Sequence, residues 1–216
     1  MCGKFTQMSS WRALHAFSQP LTAEPGEIVF VTPMRFASVL RLGEGGAREV
    51  VAMRWGFSDQ RAANPARPKH MHARSETIDT RAAFADAFAH RRGILQARTF
   101  NEGEELPNGR TKQWVITPRD GAPLAIAVIW EEWESGEERL PTFVMVTAPP
   151  NALIARVTDR MPALLGPEDW PVWLGETGAN LADVKALLKT CDDQDGWTMA
   201  EQAKPAPKPK PRTDLL

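Results

Sequence analysis

The chain has 216 residues, of which 43% are hydrophobic and 25% charged, and its formal net charge is −1. This length suffices for one well-cored domain or two small ones, and the composition is that of an ordinary globular protein. The near-zero charge excludes a globally basic nucleic-acid binder, so any phosphate contact must come from a local cluster of Lys and Arg.

The first third of the chain predicts mostly strands. After an opening strand through residue 7, Ser9 or Ser10 is expected to cap a helix that ends at Pro20. Further strands are predicted at residues 27–31, 37–42 and 48–55, the last two joined by a glycine-rich hairpin. Residues 58–69 are polar and contain two prolines, which indicates a surface loop.

The remainder predicts one longer helix, four strands and short helices. An apolar stripe predicts a helix from Asp79 or Thr80 to about Arg92, with Gly93 as its stop. Strands are predicted at residues 94–100, 112–117, 124–133 and 142–148. Short helices are expected at residues 151–157, 167–174 and 181–189.

Many short strands with few helices indicate an α+β fold, built on antiparallel, partly barrel-like β-sheets with a few flanking helices. A single domain is expected over residues 1–198. Residues 199–216 are rich in Pro and Lys, and repeated proline removes backbone donors, so this segment is expected to be a flexible tail.

Cysteine usage and the N-terminus indicate the compartment. The two cysteines, Cys2 and Cys191, stand at opposite ends of the chain. No basic region followed by an apolar run opens the sequence, and no apolar stretch is long enough to span a bilayer. We therefore expect a cytoplasmic protein whose Cys2 thiol remains reduced and free.

Cys2 is the most reactive position in the sequence. A small second residue allows removal of Met1, which leaves Cys2 with a free α-amine beside its thiol. Because an α-amine titrates near pKa 7.7–8.0, roughly a tenth of it is neutral at pH 7 and can attack an aldehyde as a Schiff-base nucleophile. The thiol can then close onto the same carbon as a thiazolidine. Two alternatives stay open: attack of the thiolate on an amide, and a buried structural cysteine.

A metal site is a weaker interpretation. His70 and His72 lie two residues apart, hence on one face of a strand, and Cys2 and Glu102 could complete the ligand set. No second Cys or His pair has metal-ligand spacing, so neither a metal nor a cofactor is expected.

Four ordered blocks carry a resemblance to a known family. They are Met1-Cys2-Gly3-Lys4-Phe5; Arg54-Trp55-Gly56-Phe57 followed by His72-Ala73-Arg74-Ser75-Glu76-Thr77; Phe100-Asn101-Glu102; and Thr158-Asp159-Arg160-Met161-Pro162. Their order and spacing, over roughly residues 1–175, resemble the SOS response-associated peptidase family, whose members shield abasic sites in DNA by covalent attachment.

The resemblance implies four catalytic positions. Cys2 matches the crosslinking nucleophile, and Glu102 matches a glutamate that moves protons, a role that a pKa raised by burial would suit. His72 stands where the family has asparagine, and Thr158 stands where it has histidine. Because Thr158 cannot titrate near neutrality, His72 is expected to supply the missing imidazole.

The resemblance also implies a DNA groove. Lys4, Arg74 and Arg160 match residues that hold the phosphate backbone, and Lys4 keeps the charge of the family's arginine but not its bidentate fork. Trp55 is expected to stack on an unpaired base, with a core position as the alternative. Glu76 is expected to pair with an arginine.

Together these residues predict a monomer that binds single-stranded or junction DNA and forms a thiazolidine crosslink between Cys2 and an abasic site. Lyase-like crosslinking and autoproteolytic activity would use the same thiol, and the protein would associate with the nucleoid when bound to DNA. Two other classes stay open: a non-catalytic DNA-binding module, and an amidohydrolase or peptidase with an N-terminal cysteine.

Overall fold

The computed structural model describes residues 4–8, 28–58, 67–192 and 195–202, with side chains from residue 31 onward and at Lys4 and Phe5. Cys2, the helix predicted after Ser9 and the segment 203–216 lie outside the described residues.

Twelve strands are described in these segments. They are β1 (Lys4–Met8), β2 (Ile28–Val31), β3 (Phe36–Leu42), β4 (Arg48–Trp55), β5 (His72–Arg74), β6 (Arg92–Ala97), β7 (Thr99–Glu105), β8 (Thr111–Pro118), β9 (Leu124–Ser135), β10 (Glu138–Ala148), β11 (Met161–Pro162) and β12 (Trp197–Glu201).

Three α-helices are described, and all are short: α1 (Ala85–His90), α2 (Trp170–Leu174) and α3 (Leu181–Ala186). Single 3₁₀ turns occur at Ser75–Thr77, Ile154–Arg156 and Pro167–Asp169. None of the described helices has the length and apolar character needed to cross a bilayer.

The strands form two sheets. The smaller sheet has five antiparallel strands in the order β12-β8-β7-β1-β2. The larger sheet runs β11-β10-β4-β3-β6-β9, and β9 pairs with β10 as well, which closes β10, β4, β3, β6 and β9 into a ring. The predicted α+β fold with antiparallel, partly barrel-like sheets is confirmed. Two parallel pairings, β10 with β4 and β10 with β5, were not expected.

The core lies on both faces of the larger sheet. Because neighbouring residues on a strand face opposite ways, Ile94, Ala127 and Val144 enter a cluster covered by the helices, and Leu95, Val128 and Phe143 enter a second one. That second cluster also receives Phe5, Phe100 and Ile116 from the smaller sheet. The two sheets therefore pack against each other at this second cluster, to which β1 contributes Phe5.

Two boundaries differ from the prediction. The helix expected from residue 79 begins only at Ala85, because Lys185 bonds the Glu76 carbonyl and the Asp79 carboxylate and holds the preceding segment in turns. Gly93 is not a helix stop but lies inside β6, where a Cβ would come within 2.7 Å of Val39 Cγ1. This glycine allows β3 and β6 to approach closely.

The last described strand spans residue 198, where the sequence predicts the domain to end. Strand β12 continues to Glu201 and pairs with β8, and Trp197 at its start is only 6% exposed within the second cluster. Burial of this indole anchors β12 against the second cluster.

Candidate active site

The centre of the candidate site is Glu102 on β7. Its neighbour Asn101 pairs with Lys4, the first described residue of β1, so Glu102 lies beside the point where the described N-terminal strand begins. The side chain of Glu102 is 0% exposed. Burial raises the pKa of its carboxyl group to about 7, and the charge of Asp159 acts in the same direction. The raised pKa expected for this residue is therefore found, and Glu102 is present in both protonation states near neutral pH.

Thr158 reaches Glu102 from another part of the chain. It follows the 3₁₀ turn Ile154–Arg156, and its amide donates to the Ile154 carbonyl over 3.1 Å. The Thr158 side chain interacts with Glu102 and partly opposes the rise in the pKa of that carboxyl group. The structure thus brings two predicted catalytic residues together, and Thr158 favours the ionised carboxylate without titrating itself.

Asp159 is the member of this group that the sequence reading missed. Its carboxylate is near enough to raise the pKa of Glu102. Its position directly after Thr158 in a matched block was the available signal, but an isolated sequence does not reveal which strand the block will face.

His72 and Trp55 form a second part of the site. His72 is half-buried on β5, and its ring lies edge-on to the indole of Trp55 with centroids 5.6 Å apart. The same indole packs against Phe5 at 5.3 Å. Trp55 therefore connects His72 to the residue that follows Lys4 on β1.

Trp55 does not have the surface position expected for base stacking. The residue is 0% exposed, lies in the second core cluster, and donates from its indole nitrogen to the Met71 carbonyl over 2.9 Å. The stacking prediction for Trp55 is thus wrong for this conformation, since no face of the ring is open to a base. The alternative, a core tryptophan, is what the structure contains.

Arg160 likewise differs from the prediction. Its side chain is 8% exposed, and its guanidinium donates to both carboxylate oxygens of Glu76 over 2.5 and 2.8 Å and to the Thr147 carbonyl over 2.5 Å. This fork lowers the pKa of Glu76 to about 2. The expected pairing of Glu76 with an arginine is confirmed. Direct phosphate contact by Arg160 is not available, because its donors are committed within the protein.

Lys4 and Arg74 are the other two cations that were predicted to contact phosphate, and both are more accessible than Arg160. Lys4 is half-buried on β1, whereas Arg74 is exposed at the end of β5. Arg74 has no hydrogen-bond or ionic partner within the part of the chain that the structure describes. An exposed guanidinium without an internal partner is suited to a phosphate oxygen.

The histidines do not assemble a metal site in the described segments. His70 packs edge-on against Phe84 at 5.1 Å, and burial, with Arg81 and Lys69, lowers its pKa. No group of three His, Cys, Asp or Glu side chains with metal-binding geometry occurs among the described residues. Cys2, the fourth predicted ligand, lies outside them.

Comparison with known proteins assigns the chain to one family. The family model named SOS response associated peptidase (SRAP) matches residues 1–202. Abasic site processing protein YoqW of Bacillus subtilis is 26% identical over 205 residues, which cover 90% of this chain and 89% of that protein. Abasic site processing protein YoaM of the same organism is also 26% identical, over 90% of this chain and 88% of its own length.

Solved structures show the same fold. A crystal structure of a protein from Bordetella bronchiseptica superposes with a TM-score of 0.76 at 21% identity and covers 94% of this chain and 100% of that one. A protein from Bacteroides thetaiotaomicron superposes with a TM-score of 0.74 at 19% identity and covers 93% and 91% of the two chains.

Proposed function

Because this chain belongs to the SOS response associated peptidase family, we propose that it processes abasic sites in single-stranded DNA by attaching Cys2 to them covalently. The curated relatives named above carry abasic site processing in their names. The observation that supports the chemistry best is the buried Glu102 carboxyl group, with a pKa of about 7, beside the start of β1.

Chain connectivity supports a nucleophile near this carboxyl group. Two peptide units separate Cys2 from Lys4, which limits the distance between their Cα atoms to about 7 Å. Lys4 pairs with Asn101, the neighbour of Glu102. A Cys2 amine freed by removal of Met1 therefore starts within reach of the acid and base that its reaction needs.

The reaction would proceed in two additions to the aldehyde carbon of the opened abasic sugar. The α-amine of Cys2 adds to the carbonyl carbon, and the resulting hydroxyl group leaves as water with a proton from Glu102. The Cys2 sulfur then adds to the same carbon of the iminium and gives up its proton to the Glu102 carboxylate. Amine, thiol and aldehyde become a thiazolidine and one water, and Glu102 returns to its starting state.

A pKa near 7 suits both steps, since the same group must donate and then accept. Thr158 would favour the ionised form, and Asp159 would favour the protonated form. His72, half-buried against Trp55, would assist sugar opening as the second proton carrier. Lys4 and Arg74 would hold the phosphates, and Arg160 would fix the loop that carries Glu76 rather than contact DNA.

The test is incubation with a single-stranded oligonucleotide that carries one abasic site, followed by denaturing electrophoresis. We expect a shifted band for the wild-type protein, none for Cys2→Ala, and an unchanged band for Cys191→Ala, which removes the other cysteine. A protein with Met1 removed that binds this oligonucleotide but gives no shifted band would be a non-catalytic DNA-binding module.

A further inference from the structure

A polar cleft lies on the outer face of the smaller sheet, next to the first described residue. Its volume is about 610 Å³, and Lys4, Gly103, Glu105, Gln113 and Gln202 contribute to its lining, with Thr32 and Thr111 at its sides. This volume is in the range of sites that hold small ligands. The mechanism above uses the opposite face of β7, where Glu102 points, and of this lining it uses only Lys4, as a phosphate contact.

Strand register explains why the cleft forms. Lys4 pairs with Asn101, whereas the hairpin of β7 and β8 continues beyond that pair to Glu105 and Thr111. Gly103 faces Gln113 across this extension. A Cβ at Gly103 would come within 2.8 Å of Thr111 Cγ2 and 3.2 Å of Gln113 Nε2, so only glycine lets the Gln113 amide lie against the strand.

Gln202 supplies the second side-chain amide of the cleft, and two hydrogen bonds fix its position. Gln202 continues from β12, and its backbone amide donates to the Gln113 carbonyl over 2.8 Å. Asn101, which is 3% exposed, directs its side-chain amide toward Gln202 Oε1 at 3.4 Å. The Oδ1 atom of Asn101 is buried and has no hydrogen-bond partner among the described residues. The two glutamines are therefore held side by side by backbone pairing, with a buried acceptor beneath them.

The charge of the lining favours a base over a phosphate. Lys4 and Glu105 offset each other, and the remaining polar groups are neutral amides and hydroxyls. Side-chain amides pair with the N6 and N7 edge of adenine, and an ammonium group pairs with O6 and N7 of guanine. A phosphate would instead be opposed by the Glu105 carboxylate.

We propose that this cleft binds the purine base of the nucleotide next to the abasic site, with Gln113 and Gln202 as the residues that select it. This proposal rests on the proposed function, because the cleft is lined by Lys4, which stands two residues after Cys2, the proposed attachment point of the damaged sugar. A chain that binds abasic DNA would thereby prefer some sequence contexts over others.

The experiment measures the affinity of the full chain for oligonucleotides that contain tetrahydrofuran, an abasic analogue without an aldehyde, flanked by A, G, C or T. We expect purine-flanked oligonucleotides to bind at least about fivefold more tightly than pyrimidine-flanked ones. Gln113→Leu and Gln202→Leu, tested separately and together, should reduce this preference to less than about twofold while affinity for the pyrimidine-flanked oligonucleotides stays level. Thr198→Val, on the same face of β12 beyond the cleft, should retain the preference.

Equal affinities for all four wild-type complexes would overturn the proposal, as would a purine preference that survives both glutamine substitutions. Because the analogue cannot crosslink, these results are independent of the covalent step. A purine preference without any adduct on a true abasic oligonucleotide would leave the cleft assigned and remove the proposed function. An adduct without a base preference would support the proposed function and overturn the assignment of the cleft.

Discussion

The side chain of Thr158 lowers the pKa of the Glu102 carboxyl group, which burial raises to about 7. The interaction with Thr158 favours the ionised form, whereas burial and the charge of Asp159 favour the protonated form. The two residues come from β7 and from the loop before β11, so this balance exists only in the folded chain.

Replacing Glu102 with Gln should stabilise the protein at alkaline pH. The folded pKa is about 7 and the ordinary value is 4.5, so the folded state binds more protons than the unfolded state between these values. Stability of the wild-type protein therefore falls as pH rises through this window. We expect the free energy of unfolding of Glu102→Gln, relative to the wild type, to rise by roughly 2 kcal/mol between pH 5.5 and pH 8.

Urea unfolding at both pH values measures this difference. The same variant should crosslink at least about 100-fold more slowly, because its amide cannot exchange protons. A difference in stability that does not change with pH would show that Glu102 titrates normally in the folded state.

Replacing Thr158 with Val should raise the pKa of Glu102 further. The substitution keeps the shape of the side chain but removes the hydroxyl group that favours the ionised carboxylate. The limb of the pH–rate profile that reports Glu102 should move to higher pH, as measured by crosslinking rates between pH 5 and pH 9. A profile that superposes on that of the wild type would mean that the hydroxyl has no influence on the reacting carboxyl group.

The two partners of the Glu76–Arg160 ion pair should contribute unequally to the stability of the protein. Arg160 is buried and also bonds Thr147, so Arg160→Met should destabilise the protein by about 3 kcal/mol. Glu76 is 47% exposed, and solvent screening reduces the expected cost of Glu76→Gln to about 1 kcal/mol or less. Arg156→Met, at an exposed position nearby in sequence, is the control and should change stability by less than about 0.5 kcal/mol.

Acid titration provides a second test of this pair. The pKa of Glu76 is lowered to about 2 by its bonds to Arg160, so its stabilising contribution is complete above pH 4.5 and is lost as pH falls toward 2. The difference in stability between the wild type and Glu76→Gln should shrink over that range. A difference in stability that stays constant over this pH range would show that the bonds from Arg160 do not lower the pKa of Glu76.

Arg74 should contribute to DNA affinity without selecting a sequence. Arg74→Ala is expected to weaken binding of single-stranded DNA and to reduce the slope of log K against log salt by about 0.7, the value for one phosphate contact. Arg139→Ala, at the opposite end of β10 from Thr147, should leave the slope unchanged.

Trp55→Phe should lower the stability of the protein and leave its affinity for DNA level, because the indole is buried. A loss of DNA affinity instead would restore the stacking role of Trp55.

The sequence predicted the sheet-rich architecture and the raised pKa of Glu102, because alternation of apolar residues and motif order are local properties. It did not predict the parallel pairing of β10 with β4 and β5, since partner choice between distant strands leaves no local pattern. The positive charge of Arg160 was visible, but its burial against Thr147 was not, so a structural arginine was expected to contact DNA. Trp55 shows the same ambiguity, because an indole serves equally well in a core and on a binding surface.

The intact mass of the adduct formed with an abasic oligonucleotide is the sharpest test of covalent attachment at Cys2. We expect the sum of the chain without Met1 and the oligonucleotide, less one water, with the linkage mapped to Cys2. An adduct on a lysine, or a chain that retains Met1 and still crosslinks, would contradict it.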